Sequence, residues 1–335
     1  MAKCAALVIS GGGAKGAFAV GVIRDLFERY RRTGWFSIVG GTSVGSLIAP
    51  LAAVMAAPDP MGRAALETVV ELFSQLRTEQ IVRRRRIHHL LRRQDSLHAS
   101  DPLHSLLQQR FLPSWFEWLR RDEAPDCYVV YVNFRTGRKV LASPKDPTMT
   151  HPRFINAMRA SSSIPVFMEG IVIDGDLCYD GGVRDVVPFE QAVELGAEMI
   201  VPIYLDPGGV SPLTTPLSRA DQILRRTIAI LWDETRHNDL EMANQVCIAS
   251  QVRRALRDAF RENPPTLEKI EATLGRDEFA SLFGGMCRVE TIVKGLRPKA
   301  RLTDNSLRFD PADMVRWMRD GEATAQQVIT ESPFI

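Results

Sequence analysis

The chain has few cysteines, almost no net charge, no long hydrophobic run and no histidine in a triad-like setting. Each shortage narrows what the protein can do. Five cysteines (Cys4, Cys127, Cys178, Cys247, Cys287) are scattered over 335 residues with no CxxC pair. That pattern argues against a disulfide framework and a structural zinc site. It predicts a reducing compartment, with each cysteine a small buried apolar residue. A net charge of +2 gives no argument for nucleic acid as a partner. The longest apolar run, 44–57, is interrupted by Ser46 and Pro50. It is too short to span a bilayer and reads as a buried helix. Met1-Ala2-Lys3-Cys4 runs directly into a strand without a cleavable apolar region, so a cytoplasmic location is expected. No internal repeat or low-complexity segment is present.

The composition is 45% hydrophobic and 24% charged, ordinary for a soluble globular protein with a substantial core. Ala5-Ala6-Leu7-Val8-Ile9 is a short apolar run ending in glycines, the pattern of a strand buried on both faces. Phe18, Val22, Leu26 and Tyr30 then form a helical stripe. Phe36 to Gly40 reads as a second strand, followed by a serine turn and an apolar helix. This order predicts an α/β core with a largely parallel sheet. Residues 58–126 read as helical and polar. Cys127 to Asn133 and Lys139 to Ala142 read as a hairpin, as do Ile171 to Ile173 and Leu177 to Tyr179. Met199 to Leu205 is a further strand, Asp221 to about Glu262 a long amphipathic helix, and Arg288 to Val293 a last strand. Asp310 is expected to cap a closing helix that starts at Pro311.

Three glycine-framed sites carry chemistry. Gly41-Thr42-Ser43-Val44-Gly45 fits the GxSxG pattern between an apolar strand and an apolar helix. There a serine sits on a sharp turn with a helix N-terminus behind it. Gly11-Gly12-Gly13-Ala14-Lys15-Gly16 also follows a strand and opens a helix. A dinucleotide site would need an acidic residue at the end of the next strand, which instead ends in Gly40-Gly41. A Walker loop would need a lysine where Ala17 stands. An anion-binding loop remains. Beside a nucleophile, its amides can act as an oxyanion hole, worth about 3 kcal/mol per good donor. Lys15 either assists or faces solvent. Asp180-Gly181-Gly182 ends a short strand; turn statistics alone favour a β-turn aspartate, while its position also lets it accept the serine proton.

A conventional triad needs a histidine on a loop after a strand. His88, His89, His98, His104, His151 and His237 lack that context, although His151 precedes Pro152 and could approach the site. Glu169, Asp174, Asp176 and Asp185 are rival carboxylates, with Asp185 the nearest rival to Asp180.

The glycine loop, the serine elbow about 30 residues on and Asp-Gly-Gly downstream, in that order, resemble the patatin-like phospholipase family. Ala160-Ser161-Ser162-Ser163-Ile164-Pro165, the stretch 192–200 with Gly196-Ala197, the helix from Ile223 and the closing segment from Phe309 resemble it too. The resemblance implies a three-layer α/β/α fold and ester hydrolysis of lipids by a Ser–Asp dyad, with no cofactor and no metal. Carried over, Ser43 is the nucleophile, Asp180 the general base, and Gly11, Gly12 and Gly13 the oxyanion hole. Lys15, Gly16, Gly41, Gly45, Gly181 and Gly182 support the motifs. The family pattern DGGxxxNxP is broken at Val186, with Pro188 retained.

The expected division is a catalytic core over 1–210, with a basic, lid-like region at 58–126, and a mainly helical extension over 211–335. Between Glu79 and Asp95 stand six arginines and no other acid: Arg83, Arg84, Arg85, Arg86, Arg92 and Arg93. Interleaved with Ile81, Val82, Ile87, Leu90 and Leu91, they read either as a basic amphipathic helix on an anionic membrane or as a solvated face. Two other functions compete with a lipid hydrolase: an esterase or thioesterase for soluble substrates, and a non-catalytic protein that binds lipid or a partner.

Overall fold

The computed structural model describes residues 4–32, 34–84, 96–210, 212–213, 216–259, 295–303 and 305–331, with single positions 266, 269, 272, 289, 291 and 292. Strand β1 (Ala5–Ile9) lies at the middle of the sheet and is buried throughout. Its alternation divides the core in two. Leu7 and Ile9 join one apolar cluster, and Ala6 and Val8 the other. A strand apolar on both faces needs cover on both faces, which is why the fold has three layers.

The other strands are β2 (Ile38–Thr42), β3 (Arg83–Arg84), β4 (His98–Ala99), β5 (Asp126–Asn133), β6 (Arg138–Ala142), β7 (Ile171–Ile173), β8 (Asp176–Asp180), β9 (Met199–Ile203) and β10 (Thr291–Ile292). The main sheet runs β10-β9-β1-β2-β5-β8-β7, with β6 on β5. From β10 to β5 every pairing is parallel; β6, β7 and β8 are antiparallel additions. The helices are α1 (Gly16–Tyr30), α2 (Val44–Val54), α3 (Met61–Gln75), α4 (Asp101–Arg110), α5 (Pro113–Leu119), α6 (His151–Ser161), α7 (Phe189–Glu194), α8 (Ala220–Ala259) and α9 (Pro311–Glu331). Side chains of α1, α2, α3, α6 and α9 fill the cluster on the Leu7 face. Phe189, Ala192 and Val193 of α7, with Ala243 and Val246 of α8, cover the Val8 face. The stretch after 210 thus supplies an edge strand, cover for one face through α8 and part of the opposite layer through α9.

Helix α9 starts as expected: the Asp310 carboxylate accepts from the Ala312 N–H at 3.0 Å. It crosses α1 at backbone contact. A Cβ on Gly21 would lie 1.9 Å from the Met318 carbonyl oxygen, and one on Gly321 2.1 Å from that of Phe18. Glycines at both crossing points let the two helix backbones meet.

The structure corrects three expectations. Residues 58–126 are not helical throughout: after α3 the chain forms a 3-10 turn (Thr78–Gln80), and Arg83–Arg84 pairs antiparallel with His98–Ala99. Ladder pairing with a distant segment overrides a helical reading at Arg83 and Arg84. Arg83 also pairs with Asp101 at 2.6 Å. Arg85, Arg86, Arg92 and Arg93 lie outside the described residues. Of the strand expected at Arg288 to Val293, Thr291–Ile292 form it and Val289 falls outside it, the other three positions lying outside the described residues. Cys127 and Cys178 are buried, but Cys4 and Cys247 are half-buried rather than core; Cys287 lies outside the described residues. Among the described residues, no helix is long and apolar enough to cross a membrane.

Candidate active site

Strand β5 brings the two key residues together by changing partners along one edge. Its far edge is occupied by β6 from Val129 to Asn133. On the near edge it pairs in parallel with β2 as far as Val130, opposite Thr42. From the next residue, Tyr131, it pairs antiparallel with β8, opposite Asp180. Strands β2 and β8 therefore meet end to end, and adjacent β5 residues are about 3.3 Å apart along the strand. Ser43 follows Thr42 at this joint, facing Asp180. The joint lies at the carboxyl ends of the parallel strands, where α/β sheets place their ligands.

Ser43 is a sharp elbow with φ 57° and ψ −125°, just before α2. For a residue with a Cβ this conformation costs about 1–3 kcal/mol, and the surroundings must hold it. They do so with three bonds. The Ser43 N–H donates to the Ser161 hydroxyl at 3.0 Å, and that hydroxyl donates to the Val130 carbonyl. The Ser46 hydroxyl donates to the Ser43 carbonyl at 2.6 Å. One step on, the Asp180 N–H donates to the Ser163 carbonyl at 2.9 Å. The end of α6 thus clamps both residues. Ser161→Ala is expected to leave two buried polar groups unpaired, costing about 1–3 kcal/mol in urea unfolding, with ester hydrolysis falling roughly tenfold. Unchanged unfolding and turnover would remove Ser161 from this role.

Asp180 is fully buried. Its Oδ1 accepts from the Gly182 N–H at 2.8 Å. Burial pushes its pKa up to about 7, while the nearby Ser43 hydroxyl and the Gly182 amide pull the other way. The hydroxyl is close enough to act on the carboxylate, yet Oδ2 completes no aligned hydrogen bond. Gly181 allows the approach, since a Cβ there would lie 2.3 Å from the Val130 carbonyl oxygen.

The glycine loop lies on the other side of the serine. A Cβ on Gly11 would stand 3.2 Å from that of Ser43 and 3.9 Å from its Oγ. The expectation for its amides narrows here. The Gly11 N–H already donates to the Val186 carbonyl at 3.0 Å, because the segment after Asp-Gly-Gly folds back onto the loop. Ala14 donates to Ser306 and Lys15 to Gly12. Among the described residues, the Gly12 and Gly13 N–H groups have no acceptor. Lys15 neither faces solvent nor reaches Ser43: it is largely buried and pairs with Asp206 at 2.7 Å. Gly16 packs α1 on Val44, Gly41 brings the two arms of the elbow into backbone contact, and Gly45 lets α2 start against the end of β1.

Asp239 of α8 holds the folded-back segment. Its Oδ2 accepts from the N–H groups of both Val186 and Val187, each at 2.9 Å. Burial, reinforced by Asp185, raises its pKa to about 7. Nothing in the local sequence marks Asp239, but the break in the motif at Val186 is the point it grips.

The rival acids are engaged elsewhere. Asp174 pairs with Arg153, Asp176 with Arg135, Asp185 with Lys139 at 3.2 Å, and Glu169 acts on Arg159. Among the described histidines, His151 stacks on Phe111 and lies 2.8 Å from its carbonyl oxygen. His98 contacts the Phe167 carbonyl, and His237 pairs with Glu241 on exposed α8. Neither these nor His104 lines the cavity containing Ser43. His88 and His89 lie outside the described residues. Among the described residues, no group of three or more His, Cys, Asp or Glu could hold a metal ion.

The three-layer α/β/α fold thus carries a serine elbow facing a buried aspartate, with a glycine loop beside it. The chain belongs to the patatin-like phospholipase family, whose pattern it matches over residues 7–193. An uncharacterised protein of Acanthamoeba polyphaga mimivirus is 24% identical over 192 residues, covering 52% of this chain and 57% of the viral protein. The chain therefore spans little more than half of that relative's length. Among solved structures, VipD from Legionella pneumophila aligns with a TM-score of 0.42 at 13% identity, covering 98% of this chain and 67% of VipD.

Proposed function

We propose that the protein hydrolyses carboxylic esters of lipids through a Ser43–Asp180 dyad and an acyl-enzyme intermediate. The observation that carries this reading is the change of partner on β5, which sets the strained serine against a buried carboxylate with an elevated pKa. Asp180 takes the Ser43 proton as Oγ adds to the ester carbonyl. The oxygen of the tetrahedral intermediate turns to the Gly12 and Gly13 amides. Collapse expels the alcohol, which takes the proton from Asp180. Water then repeats the sequence on the acyl-serine, and its proton returns through Asp180 to Ser43. A carboxylate with a pKa near 7 suits both halves, since it can take and return a proton at neutral pH.

A narrow apolar cavity favours lipid over small polar esters. It contains Ser43 and is walled by Leu47, Phe73, Leu76, Met168 and Phe309. That lining matches the chemistry of an acyl chain, which must widen the cavity to enter it. The test is labelling with an alkyl fluorophosphonate, followed by peptide mapping. Ser43 is expected to carry the label, and Ser43→Ala to remain unlabelled. Vesicle phospholipid should be cleaved in preference to a short soluble ester. Labelling elsewhere, or none, would leave a non-catalytic lipid-binding protein as the better account.

A further inference from the structure

The glycine loop separates two cavities of opposite character. Gly13 and Ser43 line the apolar one. Gly11 and Gly12 line the other, a basin of about 130 Å³. Ile164 and Leu307 border both, so the two are neighbours across the loop. The basin is walled by Lys15, Arg225, Arg236 and Arg301 against Asp206 and Asp233. Among the described residues that line it, cations exceed carboxylates by two.

The charges converge, and Arg301 also donates to the Gly209 carbonyl. Lys15 takes one oxygen of Asp206 at 2.7 Å, and Arg236 contacts Asp233. Arg236 and Arg301 stand 3.8 and 3.6 Å from the other Asp206 oxygen, too far to bond, and that oxygen has no hydrogen-bond partner. The Arg236 and Arg301 side chains are only 11% and 23% exposed, so little water screens them. Burial, with repulsion from both guanidiniums, opposes the favourable pull of Asp206 and lowers the Lys15 pKa. Arg225 sits at the mouth with its guanidinium 4.7 Å over the Phe167 ring. A partly desolvated excess of guanidinium forks suits a phosphate, which each fork can grip through two oxygens.

We propose that this basin binds the phosphate of the lipid substrate's head group while the acyl chain occupies the apolar cavity, the ester bridging the glycine loop at Ser43. The assignment rests on the hydrolase reading above, and names the end of the substrate that the reading leaves open. It makes Arg225, Arg236 and Arg301, on or beyond α8, determinants of head-group preference.

Binding to the Ser43→Ala protein tests this without requiring turnover. Calorimetric titration should show dihexanoyl phosphatidic acid, kept below its micelle concentration, binding at least roughly tenfold tighter than dihexanoylglycerol. Arg301→Gln should abolish that preference, Arg301→Lys should keep part of it, and Arg225→Gln, a change at the exposed mouth, should weaken it. Inorganic phosphate should displace the phosphatidic acid. Equal affinity for the two lipids, or a preference that survives both glutamine variants, overturns the proposal. Phosphate that binds without displacing the lipid also overturns it, assigning the basin to a free ion instead. If the preference holds but the wild type cleaves neither lipid, the hydrolase reading fails and the basin stands.

Discussion

Asp180→Asn should abolish most ester hydrolysis and yet leave a more stable protein at pH 8. An amide cannot take the Ser43 proton, so kcat is expected to fall by about 10³-fold. Its carbonyl oxygen can still accept from Gly182, so the local turn survives. Stability follows from the carboxylate's burial. Its pKa rises from 3.8 to about 7 on folding, so the folded state favours the protonated form. The stability contributed by that proton is fully present below about pH 4 and is lost as pH rises through about 7. Above that, the buried anion costs about 4 kcal/mol, an upper bound that substrate-free relaxation reduces. Asparagine should recover about 2–4 kcal/mol of this at pH 8 and almost none at pH 4. Urea unfolding of both proteins at the two pH values reads the difference. In the wild type, kcat/KM should rise with pH along a single limb with an apparent pKa near 7. An active Asp180→Asn protein, or one destabilised at pH 8, would sink the assignment of Asp180 as base.

Gly45→Ala is expected to damage the protein far more than Gly16→Ala, although both introduce a methyl group into a tight space. At Gly45 the new Cβ would lie 2.3 Å from the Ile9 carbonyl oxygen and 3.0 Å from that of Ser10. Ile9 is held on both sides of β1, opposite Gly41 and Ile203, so it cannot give way. The elbow must move instead, carrying Ser43 away from Asp180. At Gly16 the Cβ would meet Val44 Cγ2 at 2.6 Å and ring or methyl atoms of Phe73 and Ile48. Those are side-chain ends that can turn aside, at about 1–3 kcal/mol. Gly45→Ala should lose more than about 3 kcal/mol and retain under about 1% of turnover in whatever folds. Equal stability and activity in the two variants would show that the elbow has slack that the packing here denies it.

Much of this site was legible from local pattern. Ala5 to Ile9, the three glycine-framed segments and the apolar run after Ser43 each declare themselves within a few residues. Their meaning depends on backbone geometry that neighbouring residues impose. At Arg83 and Arg84 a helical reading fails for the same reason: it rests on a local signal, and pairing with His98–Ala99 is not local. Ser161 stood within a motif but without a role, because its contact with Ser43 spans 118 residues.

The amino-acid order alone marked the candidate residues: a serine on a strand-to-helix turn, an aspartate before two glycines, and amides on a glycine loop. It also settled the layered class, since strands apolar on both faces require cover on both. What folding added is who meets whom. The hand-over from β2 to β8 along β5 is a matter of register, and register is fixed by packing across the whole sheet. That long-range packing aims Ser43 at Asp180, ties Gly11 to Val186, sets Asp239 under the loop and gathers Arg236 and Arg301 around Asp206. No local periodicity carries those contacts, because each joins residues whose separation in the chain has no bearing on their distance in the fold.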